Sequence, residues 1–259
     1  MNKQKILIVG GGIGARRYVE SLLWAPNYSI ELCGVAVKHR TEVLARDFAL
    51  PFITFNELTT YTLNQYSAII FCLPPSVRCI YIQHIINLHF NGVIVIEKPL
   101  TIDQKSLVLL NRLFERHRRI AVVCQRDFAI SDYWLPLGIN YHINFYSHTK
   151  DIIYNIINQL PHILSWLLCC GHDIRTIKQS NDTFNIETND SVIVVQFHNN
   201  SVNRETIDND QKFTPPNYRV MNKKIIDEIL TFSECDFNSN FGRATRVSSL
   251  LIGLLNVSR

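Results

Sequence analysis

A short apolar segment followed at once by glycines constrains this chain more than any other feature. Residues 6–9 (Ile-Leu-Ile-Val) have the character of a buried β-strand, and four of the next five residues, 10–14, are glycine. Glycine accepts backbone conformations and close approaches that other residues resist. A segment with helical spacing begins at Ala15. The pattern predicts a strand, a tight turn and a helix, which is how a parallel α/β sheet begins.

Strands and helices alternate over the first 124 residues. Continuous apolar runs predict strands at Ile6–Val9, Ile30–Val37, Phe52–Phe55, Ala68–Leu73, Val93–Ile96 and Ile120–Cys124. Helices are predicted at Ala15–Trp24, at Thr41–Phe48 with Thr41 as a possible N-cap, at Ser76–Phe90 and at Asp103–His117. Strands that are apolar without alternation are typical of a parallel sheet covered on both faces. We therefore predict a Rossmann-type, doubly wound parallel sheet.

The pattern changes after residue 124. Between Ile139 and Tyr146 apolar and polar residues alternate, which is typical of a sheet with one wet face. Ser191–His198 predicts another strand, and Asn199–Asn222 is rich in Asn, Asp, Thr and Pro and predicts a loop. A final helix is predicted at Ala244–Leu255. The second half is therefore expected to be a smaller α+β domain with a mostly antiparallel open sheet.

Composition excludes several classes of protein. Hydrophobic residues make up 47% of the 259 and charged residues 19%, which predicts a folded domain or two and not a disordered chain. The net charge of +4 is small and scattered, so it indicates neither a nucleic-acid partner nor a membrane partner. The basic run at 116–119 is interpreted as a solvated helix C-terminus.

The cysteines indicate a reducing compartment. There are seven, irregularly spaced and mostly inside apolar runs, and no CxxC pair or HExxH motif is present. We expect no metal site. The N-terminal apolar segment is too short for a signal peptide, and no run approaches about 18 apolar residues. The expectation is a cytoplasmic protein.

The glycine segment also predicts a ligand. Taken as G-x-G-x-x-[GA], its three positions are Gly10, Gly12 and Ala15. The first glycine permits the turn, the second lets the backbone approach a pyrophosphate, and the small third residue lets the helix pack closely on the strand. The helix N-terminus then faces the phosphates. We predict a dinucleotide site, with Ile13 beside it.

The end of the second predicted strand bears on which dinucleotide binds. An NAD-preferring site usually carries an acidic residue there, but this chain has Val37, followed by Lys38 and Arg40. Two cations could pair with a 2′-phosphate. We therefore predict NADP(H) in preference to NAD(H). The alternative interpretation is that Lys38 and Arg40 are solvated loop residues.

Two further motifs carry a resemblance to a known family. They are Phe71-Cys72-Leu73-Pro74-Pro75-Ser76-Val77-Arg78 and Val95-Ile96-Glu97-Lys98-Pro99-Leu100. With the glycine segment, they resemble the Gfo/Idh/MocA family of NAD(P)-dependent oxidoreductases over residues 5–128. Arg78 stands where that family has a His. Gln125-Arg126-Asp127-Phe128 is similar to a further family segment, and Asn158 and His162 match its Asp-x-x-x-His pair with Asn replacing Asp.

The resemblance implies a domain division and a partner. Residues 1–123 would form the dinucleotide-binding domain, and residues 124–259 a shortened substrate and dimerisation domain. The strand at 192–197 is apolar on both faces, so we expect a homodimer or higher homo-oligomer formed through the C-terminal sheet. The other expected partner is a small-molecule substrate.

The resemblance also implies site residues. Catalytic roles fall to Lys98, which would stabilise a developing alkoxide, and to His162, which would move the proton. The expected dinucleotide contacts are Gly10, Gly12, Ile13, Ala15, Lys38, Arg40, Leu73, Pro74, Pro75, Glu97 and Lys98. Arg126, His142 and Asn158 are the expected substrate contacts. From the residues alone, His162 could be a core histidine and Asn158 a helix N-cap.

The implied activity is hydride transfer to or from a carbonyl or hydroxyl carbon of a small polar molecule, with a sugar or amino-sugar derivative as the first expectation. Two alternatives stay open. One is an imine reductase similar to the thiazolinyl imine reductases, and the other is a regulatory protein that binds NADP(H) without turnover. Lys98 argues against an imine reductase, because the thiazolinyl imine reductases tend to have His at that position. Asn158, in place of the family's Asp, favours the regulatory protein.

Overall fold

The structure is a computed structural model that describes residues 3–35, 38–124, 137–147, 151–199, 204–207, 211–213 and 218–257. The chain divides into two compact units. The first contains residues 1–123 and 217–242, and the second contains residues 124–216 and 243–259.

The first unit is built around a six-stranded sheet. Its strands are β1 (Gln4–Val9), β2 (Tyr28–Gly34), β3 (Phe52–Thr54), β4 (Ala68–Phe71), β5 (Val93–Glu97) and β6 (Ile120–Val123). Its helices are α1 (Ile13–Leu22), α2 (Lys38–Asp47), α3 (Thr60–Leu63), α4 (Pro75–Asn87), α5 (Gln104–Arg116), α8 (Tyr218–Ile229) and the beginning of α9 (Glu234–Val257).

The strand order explains where a ligand can bind. The order is β3-β2-β1-β4-β5-β6, and every pairing is parallel. The chain leaves β1 toward one edge of the sheet and returns to β4 toward the other, so a crevice opens at the carboxyl ends of β1 and β4. All four residues of β4 are buried. The predicted doubly wound parallel sheet is confirmed.

Two predicted boundaries in this unit are wrong. Strand β2 ends at Gly34, not at Val37, and residues 36 and 37 lie outside the described part of the chain. Helix α2 begins at Lys38, which places Thr41 inside the helix and not at its N-cap. Thr41 is buried because the first turn of α2 packs on the glycine turn, where a Cβ on Gly11 would lie 2.4 Å from the Thr41 nitrogen.

Part of the predicted second domain belongs to the first unit. The loop predicted at residues 199–222 is wrong, because this segment contains two strands and the beginning of α8. The strands are β11 (Arg204–Ile207) and β12 (Gln211–Phe213), and they belong to the second unit. Residues 217–242 then complete the first unit. Helix α8 packs against α1, where the Ser21 hydroxyl donates to the Tyr218 carbonyl over 3.4 Å, and the Tyr28 hydroxyl donates to the Asp227 carboxylate.

A side chain of α9 forms hydrogen bonds with the backbone of the edge strand β6. The Asn240 amide oxygen accepts from the Val122 nitrogen over 2.7 Å, and the amide nitrogen donates to the Val122 carbonyl over 3.1 Å. Asn240 thus supplies the pairing that a neighbouring strand would give. The Phe114 and Phe241 rings stack beside it, with centroids 4.0 Å apart. An unpaired edge would otherwise remain beside buried apolar residues.

The second unit holds a second six-stranded sheet. Its strands are β7 (Tyr141–Ser147), β8 (Ile174–Ser180), β9 (Thr183–Thr188), β10 (Val192–Asn199), β11 and β12, in the order β12-β11-β7-β10-β9-β8. Only the β7–β10 pairing is parallel among these neighbours. Helices α6 (Ile152–Asn158) and α7 (Leu160–Cys169) follow β7. The predicted α+β domain with a mostly antiparallel sheet is confirmed.

Helix α7 supplies much of the core of the second unit. Trp166 and Leu167 are buried against Phe184 and Val195 of the sheet and against Leu251 of α9. Residues 152–169, which span α6 and α7, are long and apolar enough to be a candidate membrane span by length and composition. Half of that segment is buried inside the structure, and the helix is interrupted at Gln159. Its apolar character is explained by this core.

Candidate dinucleotide site

The glycine turn lies at the carboxyl end of β1, and its glycines differ in the space that surrounds their Cα atoms. Gly10 has φ of +114°, and a Cβ there would lie 2.7 Å from the Cys72 carbonyl oxygen. Gly11 packs on α2. Gly12 differs, because a Cβ built on it would have no neighbour within 4 Å among the described residues. The first two positions are closed by the protein, and Gly12 faces open space in the crevice.

Helix α1 directs its N-terminus into the same crevice. Gly12 is its N-cap and has no side chain to cap the helix, and the first turn carries no acidic residue. The free backbone N–H groups and the helix dipole therefore favour an anion there. Ile13 is 72% exposed at the first position of the helix, and Ala15 is fully buried. Ala15 allows the close packing of helix on strand that a dinucleotide turn needs.

The turn after β4 lies against the glycine turn. Leu73 is buried, and its Cδ2 would lie 3.2 Å from a Cβ on Gly10. Pro74 is exposed and is the N-cap of α4, and Pro75 is its first residue. The structure therefore brings together Gly10, Gly12 and the Leu73-Pro74-Pro75 turn.

The turn after β5 presents Lys98. Glu97 and Lys98 are half-buried, Pro99 is buried, and the peptide bond between Lys98 and Pro99 is cis. Because β5 is the neighbour of β4 in a parallel sheet, this turn lies at the same edge of the sheet as the other two. Lys98 therefore belongs to the carboxyl-end edge where a dinucleotide would lie.

Below the Lys98 turn lies a residue whose role sequence reasoning missed. Arg78, in the first turn of α4, is 2% exposed. Its Nη1 donates to the Glu97 carbonyl and, over 2.9 Å, to the Pro99 carbonyl. Burial lowers the pKa of Arg78 to about 10, although Glu97 and Cys72 raise it in part. The sequence showed only that Arg78 replaces the His of the similar family.

The residues proposed to select the dinucleotide follow β2. Lys38 is the first residue of α2, and Arg40 is exposed in its first turn. Helix α2 is tied to α1 by a 2.6 Å ion pair between Arg16 and Asp47. The two predicted cations therefore lie at the helix that packs on Gly11 of the turn.

The remaining predicted residues fall in the second half of the chain. His162 is half-buried in the first turn of α7, which begins at Leu160 and has Pro161 as its second residue, where the first turn tolerates a proline. Asn158 is the last residue of α6, and its amide nitrogen donates to the Tyr154 carbonyl over 3.1 Å. Asn158 is therefore not an N-cap, and that interpretation is wrong.

Two other predicted substrate contacts have different outcomes. His142 lies on β7, and because its neighbour Ile143 enters the core of the second unit, His142 is on the opposite face of the sheet. Arg126 lies outside the described residues.

Within the described residues, thiols and metal-ligating side chains form no further site. None of the seven cysteines, all within the described residues, forms a disulfide, and Cys235 is exposed while the others are buried or half-buried. Burial raises the pKa of the Cys72 thiol, with a further contribution from Glu97, so it stays protonated. No group of three or more metal-ligating side chains occurs among the residues that the structure describes.

The first unit holds a doubly wound parallel sheet, and the second unit holds an open, mostly antiparallel sheet. No protein-family model matches the sequence, and no curated protein matches it. Solved structures do match, and they cover both units. The chain has the fold of the Gfo/Idh/MocA oxidoreductases.

Three of these structures illustrate the likeness. A Gfo/Idh/MocA family oxidoreductase from Vibrio cholerae is 11% identical with a TM-score of 0.71, and the match covers 99% of each chain. A myo-inositol dehydrogenase from Corynebacterium glutamicum is 12% identical, with a TM-score of 0.72 over 98% of this chain and 96% of that one. A myo-inositol dehydrogenase from Lactobacillus casei, in complex with NAD(H) and myo-inositol, is 14% identical, with a TM-score of 0.66 over 96% and 93%.

Proposed function

We propose that the protein is an oxidoreductase that binds NADP(H) in preference to NAD(H). It transfers hydride to or from a carbonyl or hydroxyl carbon of a small polar molecule, with sugar and amino-sugar derivatives first among the candidates. One observation carries the proposal: Gly12 faces open space at the N-terminus of α1, whereas Gly10 and Gly11 of the same turn are closed by protein atoms. A pyrophosphate can approach the backbone at such a position, and a methyl group there would exclude it.

The surrounding residues fit a dinucleotide. Its phosphates would meet the N–H groups of Gly12 and Ile13, and its nicotinamide half would lie along Leu73, Pro74 and Pro75. Such a cofactor binds outside the carboxyl ends of the strands at the switch point, which here is the β1–β4 boundary. The Lactobacillus casei structure holds NAD(H) in the same fold.

The preference for NADP(H) depends on charge. The segment between Gly34 and Thr41 carries Lys38 and Arg40 and no acidic residue. A carboxylate there would repel a 2′-phosphate, whereas a guanidinium can bind it through two hydrogen bonds. Arg40 is exposed and accessible to such a group.

The proposed chemistry assigns one task to each catalytic residue. The bound nicotinamide supplies or accepts the hydride. His162 gives a proton to the substrate oxygen during reduction and removes it during oxidation, a task that histidine performs most often among side chains. The Lys98 ammonium stabilises the negative charge that develops on that oxygen. His142, Asn158 and Arg126 are the proposed substrate contacts.

The proposal includes a homo-oligomer formed through the second sheet. Along β10, Ile193, Val195 and Phe197 are buried in the core, whereas Val192 on the opposite face is 41% exposed and Val194 is half-buried. The two valines are apolar residues that a second copy of the chain would cover.

A paired titration tests the cofactor proposal. The purified protein is titrated with NADPH and with NADH while nicotinamide fluorescence is followed. We expect NADPH to bind at least tenfold more tightly. The double variant Lys38→Ala, Arg40→Ala should remove that preference, while a control with two exposed cations of α5 replaced, Lys105→Ala and Arg112→Ala, should keep it. Equal binding of the two nucleotides would contradict the preference, and no binding would contradict the function.

The catalytic roles need a substrate. The NADPH complex is assayed against a panel of sugar, amino-sugar and imine compounds, and turnover is compared in Lys98→Met and His162→Gln. Each change should lower kcat at least 100-fold, and His162→Gln should keep NADPH binding. Activity that survives in both variants would contradict the assignment.

A regulatory protein that binds NADP(H) without turnover is the second candidate, and Asn158 favours it. An amide cannot hold the negative charge that would stabilise a protonated His162, and the Asn158 amide is engaged with its own helix. Tight NADPH binding with no turnover on the whole panel would support this candidate. Turnover of imines alone would support an imine reductase.

A further inference from the structure

Arg78 is unusual among the charged residues of this protein. In the described part of the chain it is the one Lys, Arg, Asp or Glu whose side chain is buried. It also lies in the first turn of α4, where the helix dipole is unfavourable to a cation. Removing a cation from water is costly unless hydrogen bonds compensate it. A functional constraint would explain why the chain keeps Arg at this position.

The contacts of Arg78 show what it holds. The single nitrogen Nη1 donates to the carbonyl of Glu97 and to the carbonyl of Pro99, which are the residues directly before and after Lys98. Its Nε is buried and has no hydrogen-bond partner among the described residues. The guanidinium therefore joins both ends of the turn that carries the proposed catalytic lysine, across 19 and 21 residues of sequence.

We propose that Arg78 is a positioning residue that fixes the backbone on both sides of Lys98 and so aims its ammonium at the developing negative charge. This inference rests on the proposed function, because Lys98 has its role there. Arg78 itself touches neither substrate nor cofactor in this scheme. The chemistry needs the reacting groups to be placed within a fraction of an ångström, and a displacement of about 1 Å can cost about 100-fold in rate.

The kinetic test separates positioning from binding. In Arg78→Gln we expect kcat to fall 10- to 100-fold, while KM and the Kd of NADPH stay within about threefold of wild type. Arg78→Lys keeps a charge with several donors and should restore kcat to within about threefold. Arg112→Gln, an exposed arginine of α5, is the matched control and should change nothing. If Arg78→Gln does not fold, Arg78→Met replaces it.

A second measurement requires no substrate. The folded protein is reductively methylated for a limited time, with and without NADPH, and modification of Lys98 and of exposed Lys105 is measured by mass spectrometry. In the free protein, Arg78→Gln should change the rate at Lys98 at least threefold and leave Lys105 unchanged. NADPH should protect Lys98 in wild type and protect it less than half as well in Arg78→Gln.

The outcomes distinguish the two proposals. If NADPH does not bind wild-type protein, the proposed function fails, and the labelling of the free protein still decides whether Arg78 controls the placement of Lys98. If NADPH binds but the labelling of Lys98 and kcat are the same in Arg78→Gln as in wild type, the inference about Arg78 is overturned. A lower thermal midpoint with unchanged labelling would show that Arg78 only stabilises the fold.

Discussion

Two glycines of the same turn, Gly10 and Gly12, should respond in different ways to the same added methyl group. Gly10→Ala introduces a side chain at φ of +114°, with its Cβ 2.7 Å from a backbone oxygen at Cys72. Gly12→Ala introduces one at φ of −83° and ψ of −172°, ordinary extended backbone, with nothing within 4 Å in the described structure. The first change should therefore affect the fold, and the second should affect the ligand.

The expected magnitudes follow from this geometry. Strained backbone costs about 1–3 kcal/mol, and the displaced turn at Cys72 adds to it, so we expect Gly10→Ala to lower the free energy of unfolding by about 2–4 kcal/mol. That corresponds to a thermal midpoint lower by about 5–15 °C. Gly12→Ala should change the free energy of unfolding by less than about 1 kcal/mol, because the gain from restricting the unfolded chain is offset by the poorer N-cap that alanine makes for α1. NADPH should bind Gly12→Ala at least tenfold more weakly, about 1.4 kcal/mol.

The assay combines thermal unfolding of the free protein with fluorescence titration of NADPH. Gly253→Ala is the control, because this exposed helical glycine of α9 also has nothing near its Cβ among the described residues, and it lies in the second unit. It should bind NADPH like the wild type. Normal NADPH binding by Gly12→Ala would refute the reasoning that the open space belongs to the nucleotide. Equal stability of Gly10→Ala and Gly12→Ala would refute the reasoning about strain.

Three further predictions follow from single contacts. Asn240→Ala leaves the edge of β6 unpaired and should lower the free energy of unfolding in urea by about 2–4 kcal/mol, while exposed Asn238→Ala should change it by less than about 0.5 kcal/mol. Burial alone would raise the pKa of Asp103, but hydrogen bonds at the N-terminus of α5 outweigh it and hold the pKa below its ordinary value. Asp103→Ala should therefore cost about 1 kcal/mol at neutral pH, and urea midpoints should show this difference vanishing as the pH falls below about 4 and through the lowered pKa. Val194→Arg should shift the protein to monomers in light scattering, whereas Ile153→Arg, exposed on α6, should not; a monomeric wild type would contradict the proposed oligomer.

The first unit could be predicted closely because its signals are local. Each of the six predicted strands exists, since buried parallel strands form uninterrupted apolar runs, as in Ile69-Ile70-Phe71. The errors concern the residues at which the strands and helices begin and end. Thr41 resembles an N-cap in isolation, but α2 starts three residues earlier because its first turn packs on Gly11. No local pattern shows that contact.

The site could be predicted only in part for the same reason. Gly10, Gly12 and the Leu73-Pro74-Pro75 turn follow strands, and a parallel sheet places the carboxyl ends of its strands at one edge. The partners of Arg78 could not be predicted, because its two acceptors are backbone carbonyls, 19 and 21 residues away, and any residue would supply them. A motif comparison records Arg78 as a departure, and only the fold shows what it contacts.

The contribution of the C-terminal segment to the first unit could not be predicted either, because it also depends on contacts between residues that are distant in sequence. Asn240 pairs with Val122 across 118 residues, and Asp227 accepts from Tyr28 across 199 residues. In sequence these are polar residues on amphipathic helices, and nothing marks them as partners of a strand near residue 122. A chain ending at 123 would leave β6 with an open edge and α1 without α8, exposing backbone groups and apolar surface that the intact unit covers. The first unit is therefore completed by residues encoded after the second sheet, and the change in sequence pattern near residue 124 marks where the second unit begins, without marking where the first unit ends.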